Sequence, residues 1–279
     1  LERLAFQQCF LESVAQSADR IGEDVVQHVR RRLPPWCPAP GVPPPLASAP
    51  MSEEPGVAAP AVETARVPRP DDAQLWLIAL IVLGGVVVAQ GVMAVLSGWL
   101  PSGDDGYWSI MARSVFSARP PLLGSSSSGG VVTGTGFHHL GPLGFYLLAP
   151  FVALIGGAGV ALGSSVINAA AAVIGPLAVR SGVGPRAGWV SAVGSSLLAF
   201  TMGSELLVDP WNPHLAVLAL WCAMCCAWAV LAGGVGWGAV GVFFVSLSLQ
   251  THLSFVPVGG IVALALVGAT AWGCAHLPV

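Results

Sequence analysis

Apolar and polar positions segregate into long blocks along this chain. Leu75 to Leu100 reads LWLIALIVLGGVVVAQGVMAVLSGWL, a run without a single charge. That exceeds the ~20 residues needed to cross a bilayer as a helix and predicts a membrane span. Further apolar blocks predict spans near 159–179, 187–207, 213–232, 236–252 and 255–273. Gly and Ser recur inside them, as in Gly163-Ser164-Ser165 and Gly194-Ser195-Ser196. Such small residues let helices approach closely in lipid. Residues 101–137 are too polar to span and contain a low-complexity tip, Gly124 to Gly130. The pattern therefore predicts an all-α fold, a polytopic transmembrane helical bundle whose outer loop carries short interfacial helices.

Residues 1–74 break the pattern. Residues 1–33 have the spacing of an amphipathic helix closed by Arg30, Arg31 and Arg32, and a Pro-rich stretch from Pro34 to Pro70 follows. That stretch cannot build a core, so a disordered N-terminal tail is expected. The chain opens on Leu1, and Met51 begins a tail of cytoplasmic character, SEEPGVAAPAVETARVPRPDD. Residues 1–50 are accordingly expected to lie outside the native protein. Residues 75–279 are read as the membrane domain.

Composition narrows the class. The chain is 54% hydrophobic and 9% charged, with a mean hydropathy of +0.76, whereas soluble domains carry roughly 25% charged residues. A formal net charge of −3 offers no basic face for nucleic acid. Ten tryptophans against two tyrosines suit anchoring at the membrane interface or packing between helices. The Cys222-x-x-Cys225 pair has no second pair and no nearby His, so Cys222, Cys225 and Cys226 read as small packing residues.

Arginines set the expected orientation. Arg66 and Arg69 precede the first span, and Arg180 and Arg186 bracket the short loop SGVGP. Short positive loops stay cytoplasmic, which places 101–137 outside. The apolar stretch 138–157 is then expected to re-enter or lie along the outer interface; if it crossed, the arginine loop would be outside.

With that topology the polar residues gather at one face. Asp104 and Asp105 follow the first span, His138 and His139 precede an apolar stretch, and Glu205, Asp209, Asn212 and His214 lie in ELLVDPWNPH. Gln250 and His252 close a later span. Ionisable groups at membrane depth are costly and mark function. Each also has a plainer role. Asp104 and Asp105 suit the first turn of a helix, His138 and His139 suit the interface, and Pro210 and Pro213 make DPWNPH turn chemistry, with His214 as a loop anchor. Adjacent carboxylates can also raise one pKa, as a general base or a metal-ligating pair requires. Arg113 and Arg119 have the guanidinium fork that matches phosphate.

At these residues the sequence resembles the GT-C class of membrane glycosyltransferases, which contains protein O-mannosyltransferases and aminoarabinose transferases. The resemblance rests on Asp104-Asp105 in GDDGYWSIMARSVF, on HHLGPLGFYLLAPFVALIGG, and on WNPH with QTHLSFVPV. It covers about residues 75–270. Two departures stand out. Leu140-Gly141-Pro142 replaces the double proline of better-known members, and the Lys common in a later span of related enzymes is not seen, with His252 falling in that neighbourhood.

The resemblance implies sugar transfer from a polyprenyl-phosphate donor to an acceptor at the extracytoplasmic face of the cell membrane. It implies Asp104 as catalytic base with Asp105 in support. His138, His139, Arg113, Asn212, His214 and His252 would bind substrate, with His139 at the donor phosphate. It also implies that the membrane domain is truncated at its C-terminus. Metal use varies in the class, so no metal or other cofactor is assigned. The expected partners are the lipid-linked donor and membrane lipid, and the sequence sets no oligomeric state. A lipid or solute transporter and a non-catalytic envelope scaffold are the alternatives.

Overall fold

The computed structural model describes residues 70–127 and 136–276. The expectations for residues 1–69, and for the last part of the Gly124–Gly130 tip, lie outside the described residues. Of the described residues 81% are helical, and no strand occurs among them. The eight α-helices are α1 (Pro70–Leu96), α2 (Gly103–Ser114), α3 (Leu143–Ile155), α4 (Gly159–Gly182), α5 (Pro185–Val208), α6 (Asn212–Leu231), α7 (Gly238–Thr251) and α8 (Val256–His276). Short 3-10 turns at Val235–Trp237 and Leu253–Phe255 precede α7 and α8.

Five helical segments are long and apolar enough to cross a membrane: Asp72–Leu96, Gly159–Gly182, Pro185–Val208, Asn212–Leu231 and Leu253–Ala275. The first begins and ends earlier than the apolar run suggests. Gly98 takes φ +74, a conformation that stops a helix, and Ser97 to Leu100 turn away from it. The segment Val235–Thr251 is shorter, yet it runs from one end of the bundle to the other. Val235 sits beside Gly273 at one end, and Gln250 beside Gly141 at the other.

The centre of the bundle is α6, packed on α4, α7 and α8. In α6, 67% of the apolar window is buried within the protein, against 11% in the last span. The periphery exposes large apolar side chains: Ile78, Ile81 and Val86 on α1, Phe200 on α5, and Ile261 and Leu264 on α8. An exposed apolar belt of this extent needs a nonaqueous surround, and a bilayer supplies it. Small residues form the contacts. Gly175 of α4 meets Cys222 and Cys225 of α6, and Gly182 meets Ala229. The three buried cysteines are packing residues, as the sequence suggests.

One end of the bundle is marked by Arg180. Its guanidinium lies 4.7 Å from the Trp76 ring centroid, and Trp76 meets Trp189 edge to face at 5.0 Å. The opposite end carries Asp104, with the start of α4, the α5–α6 turn and the α7–α8 turn.

The stretch 138–157 does not cross. Its helix α3 has 13 residues, about 20 Å of length against a hydrocarbon core of roughly 30 Å. Both its ends meet α2 or the turn before it. Gly144 lies under the Trp108 ring, while Gly157 lies beside Pro101 and Ser109. The chain thus enters and leaves at the Asp104 end, which is the arrangement the arginines favour. The return depends on Gly159, where a Cβ would strike the Phe151 carbonyl oxygen. That neighbour is backbone and cannot yield as a side chain would. Gly159→Ala is therefore expected to cost about 1–3 kcal/mol, measurable as a lowered midpoint of thermal unfolding in detergent.

Candidate functional site

Helix α2 begins after Ser102, and Asp104 and Asp105 occupy its first turn. Carboxylates are favoured there by the unsatisfied N–H groups of a helix start. That is the plainer reading of the pair, and the geometry satisfies it. The two side chains nevertheless go separate ways. Asp104 lines one cavity, with His139, Asn212 and His252. Asp105 lines another, with Glu205 and Asp209.

The Asp104 cavity has a volume of about 470 Å³. Five separate stretches of chain build its wall. Trp108, one turn after Asp104, is 3% exposed and packs edge-on against Phe145 at 4.6 Å. Its indole Nε1 donates to Asn212 Oδ1 at 2.8 Å. Ser125 Oγ donates to the same oxygen at 2.9 Å. Both acceptor positions of Oδ1 are then taken, so the amide is fixed in one orientation and its NH₂ group remains as a donor at the cavity wall.

A short antiparallel clip holds Ser125 and His139 in place. His139 N–H donates to Ser125 O at 2.9 Å, Gly124 N–H to His139 O at 3.2 Å, and Ser127 N–H to Phe137 O at 2.9 Å. His139 is 5% exposed, and its Nδ1 accepts from Leu253 N–H at 3.3 Å. Its ring lies 5.2 Å from that of His252. His252 Nδ1 in turn accepts from Ser254 N–H at 3.2 Å. Burial depresses the pKa of both rings, and the neighbouring histidines depress that of His139 further. Both rings are therefore neutral near pH 7, with the proton on Nε2. The cavity offers neutral N–H donors, one carboxyl group and aromatic surface from Tyr107 and Trp211.

The remaining sequence candidates fall outside this wall. His138 donates from Nδ1 to Gly124 O at 3.1 Å and fastens the clip. His214 Nδ1 lies 2.8 Å from Asp209 Oδ2 and packs on Trp211, so it anchors the turn between α5 and α6. Gln250 Oε1 accepts from Leu143 N–H at 3.3 Å and holds the start of α3. Arg113 is exposed in the last turn of α2 and lines neither cavity. Among the described residues no group of three or more His, Cys, Asp or Glu is arranged to hold a metal ion.

Neighbours in sequence, Asp104 and Asp105 read as a pair; in the fold Asp105 pairs with Asp209 instead. Burial pushes the Asp105 carboxyl up to about 7, and a hydrogen bond and charge repulsion from Asp209 add to the effect, ahead of repulsion from Asp104. The folded protein thus binds a proton here that the unfolded chain releases near its ordinary value of 3.8. Stability from this group is present at low pH and is lost as pH rises towards 7. Asp105→Asn is accordingly expected to raise the unfolding midpoint at pH 8 and leave it unchanged at pH 4. A pH series of thermal melts checks this. An equal shift at both pH values would exclude the protonated carboxyl.

Tyr107, Trp108 and Ser125 also line the Asp104 cavity. None of them is named as a site residue from the sequence, although Tyr107 and Trp108 lie within GDDGYWSIMARSVF. Comparison with protein-family models, curated proteins and solved structures finds no match for this chain.

Proposed function

We propose that this membrane domain is a glycosyltransferase that moves a sugar from a polyprenyl-phosphate donor to an acceptor at the Asp104 end of the bundle. The supporting observation is the Asp104 cavity itself. It joins a carboxyl group, a fixed amide donor, two neutral imidazoles and aromatic faces at one end of an apolar bundle. Sugars are bound by such mixtures, because hydroxyls need directed donors and acceptors while their C–H faces pack on aromatic rings. The lipid tail of the donor would stay in the bilayer while its head enters from the interface. The arginine turn at 180–186, far from the cavity, supports an extracytoplasmic position for this end.

In this reading Asp104 takes the proton of the acceptor nucleophile. The nucleophile bonds to the anomeric carbon, the bond from that carbon to the phosphate oxygen breaks, and polyprenyl phosphate leaves with the electron pair. His139 and His252 donate from Nε2 to phosphate oxygens, and the Asn212 amide orients the sugar. Asp105 is turned into the neighbouring cavity, away from the reacting atoms.

The test uses the full-length protein in detergent with a short-chain polyprenyl-phosphate sugar and an envelope extract as acceptor source. The expected product is free polyprenyl phosphate, formed in step with labelled acceptor. Intact donor, together with saturable counterflow of labelled sugar in liposomes, would instead identify a transporter.

A further inference from the structure

A second cavity lies on the flank of the bundle, between α1 and α5. Its membrane-depth part, about 460 Å³, is walled by apolar side chains that include Val82, Val86, Ala199 and Phe200. Towards the Asp104 end it continues into a polar mouth of about 460 Å³ that contains Asp105, Glu205 and Asp209. Gln90 and Ser204 line both parts, so the two form one groove. Val82, Val86 and Phe200 are also among the exposed apolar residues that face the surround.

The backbone of α5 breaks where the parts meet. Gly203 adopts φ 68 and ψ 179 inside the helix, a region open essentially to glycine alone. Glu205 and the C-cap residue Asp209 follow, one helical turn apart. Carboxylates at a helix C-terminus sit at the negative end of its dipole, an unfavourable place. Asp209 has His214 on one oxygen and Trp211 N–H on the other, while Glu205 is exposed. No Lys, Arg or His lines either part of the groove.

We infer that the groove between α1 and α5 binds an amphiphile with a long apolar chain and a cationic amine head, the chain against Val86 and Ala199 and the ammonium among Asp105, Glu205 and Asp209. An apolar slot at membrane depth takes a lipid chain without cost in exposed surface. Glu205 stands open to an ammonium, whose approach also favours release of the Asp105 proton, so the mouth selects the head by charge and rejects phosphate. The site uses none of the residues that line the Asp104 cavity and does not depend on sugar transfer.

The test measures retention of radiolabelled hexadecylamine and hexadecyl phosphate by the full chain in phosphatidylcholine nanodiscs, corrected for empty discs. Hexadecylamine is expected to be retained about tenfold more tightly than the phosphate of the same chain length. Glu205→Gln, at an exposed position, should reduce that preference at least about threefold, by weaker retention of the amine and equal or stronger retention of the phosphate. Ala199→Trp, which fills the slot, should lower retention of the amine about tenfold. Equal retention of the two probes overturns the inference, as does a preference for the phosphate with or without magnesium. An amine preference untouched by both variants overturns it as well. Loss of sugar transfer with amine retention intact would count against the proposed function alone.

Discussion

Replacing Asp104 by Asn is expected to lower sugar transfer by about 100- to 10,000-fold, the usual contribution of a positioned general base. Asn keeps the size and the acceptor oxygen, so the first turn of α2 and the cavity wall should persist. Donor affinity should therefore change little while the chemical step fails, a loss in kcat at nearly constant KM. Asp105→Asn is the contrasting variant, because its side chain faces Glu205 and Asp209 rather than the Asp104 cavity. It should retain more than about a tenth of the transfer rate. Equal losses in both variants would mean that the acidic pair acts as a unit, against the divergence seen in α2. Single-turnover rates with saturating donor distinguish the cases.

Asn212→Ala is expected to destabilise the site itself, in addition to removing the amide proposed to orient the sugar. Asn212 Oδ1 accepts from both Trp108 and Ser125, and all three residues are buried. Deleting the amide leaves an indole N–H and a hydroxyl without their acceptor, which costs about 2–4 kcal/mol. The loss should appear as a lowered unfolding midpoint and as faster hydrogen exchange in α2 and in the 122–127 segment. Trp108→Phe should cost less. It keeps the ring contact with Phe145 and leaves the Ser125 bond in place. A stability loss in Trp108→Phe equal to that in Asn212→Ala would show that the indole bond carries the whole junction.

Hydropathy makes the membrane helices readable, because lipid requires long uninterrupted apolar runs and each appears as a block in the sequence. The end of α1 is less legible, since Gly98 turns the chain before the apolar run stops. The return of 138–157 to the end where it began can be argued from sequence only through arginine placement, because its composition matches that of a span. Its 13-residue helix and the return at Gly159 supply the length argument that composition lacks.

At the site, Asp104, His139, Asn212 and His252 are visible in the sequence as polar residues beside apolar blocks. The bond from Trp108 to Asn212 joins positions 104 residues apart, and no local pattern encodes such a pairing. For the same reason sequence proximity joins Asp105 to Asp104, while the fold brings Asp209 to it. His138 and His214 carry the right chemistry, but each binds through Nδ1 to Gly124 or Asp209 and neither lines the Asp104 cavity.

Whether the Asp104 cavity receives the sugar can be read by photo-crosslinking. A polyprenyl-phosphate sugar bearing a diazirine on the sugar is irradiated with the full-length protein in nanodiscs, and the labelled peptides are mapped by mass spectrometry. Label is expected on the segments that wall the Asp104 cavity: the first turns of α2, Ser125 to Ser127, and Trp211 with Asn212. Label confined to the α1–α5 groove, or to the Arg180 end of the bundle, would put the sugar elsewhere and remove Asp104 from the chemistry.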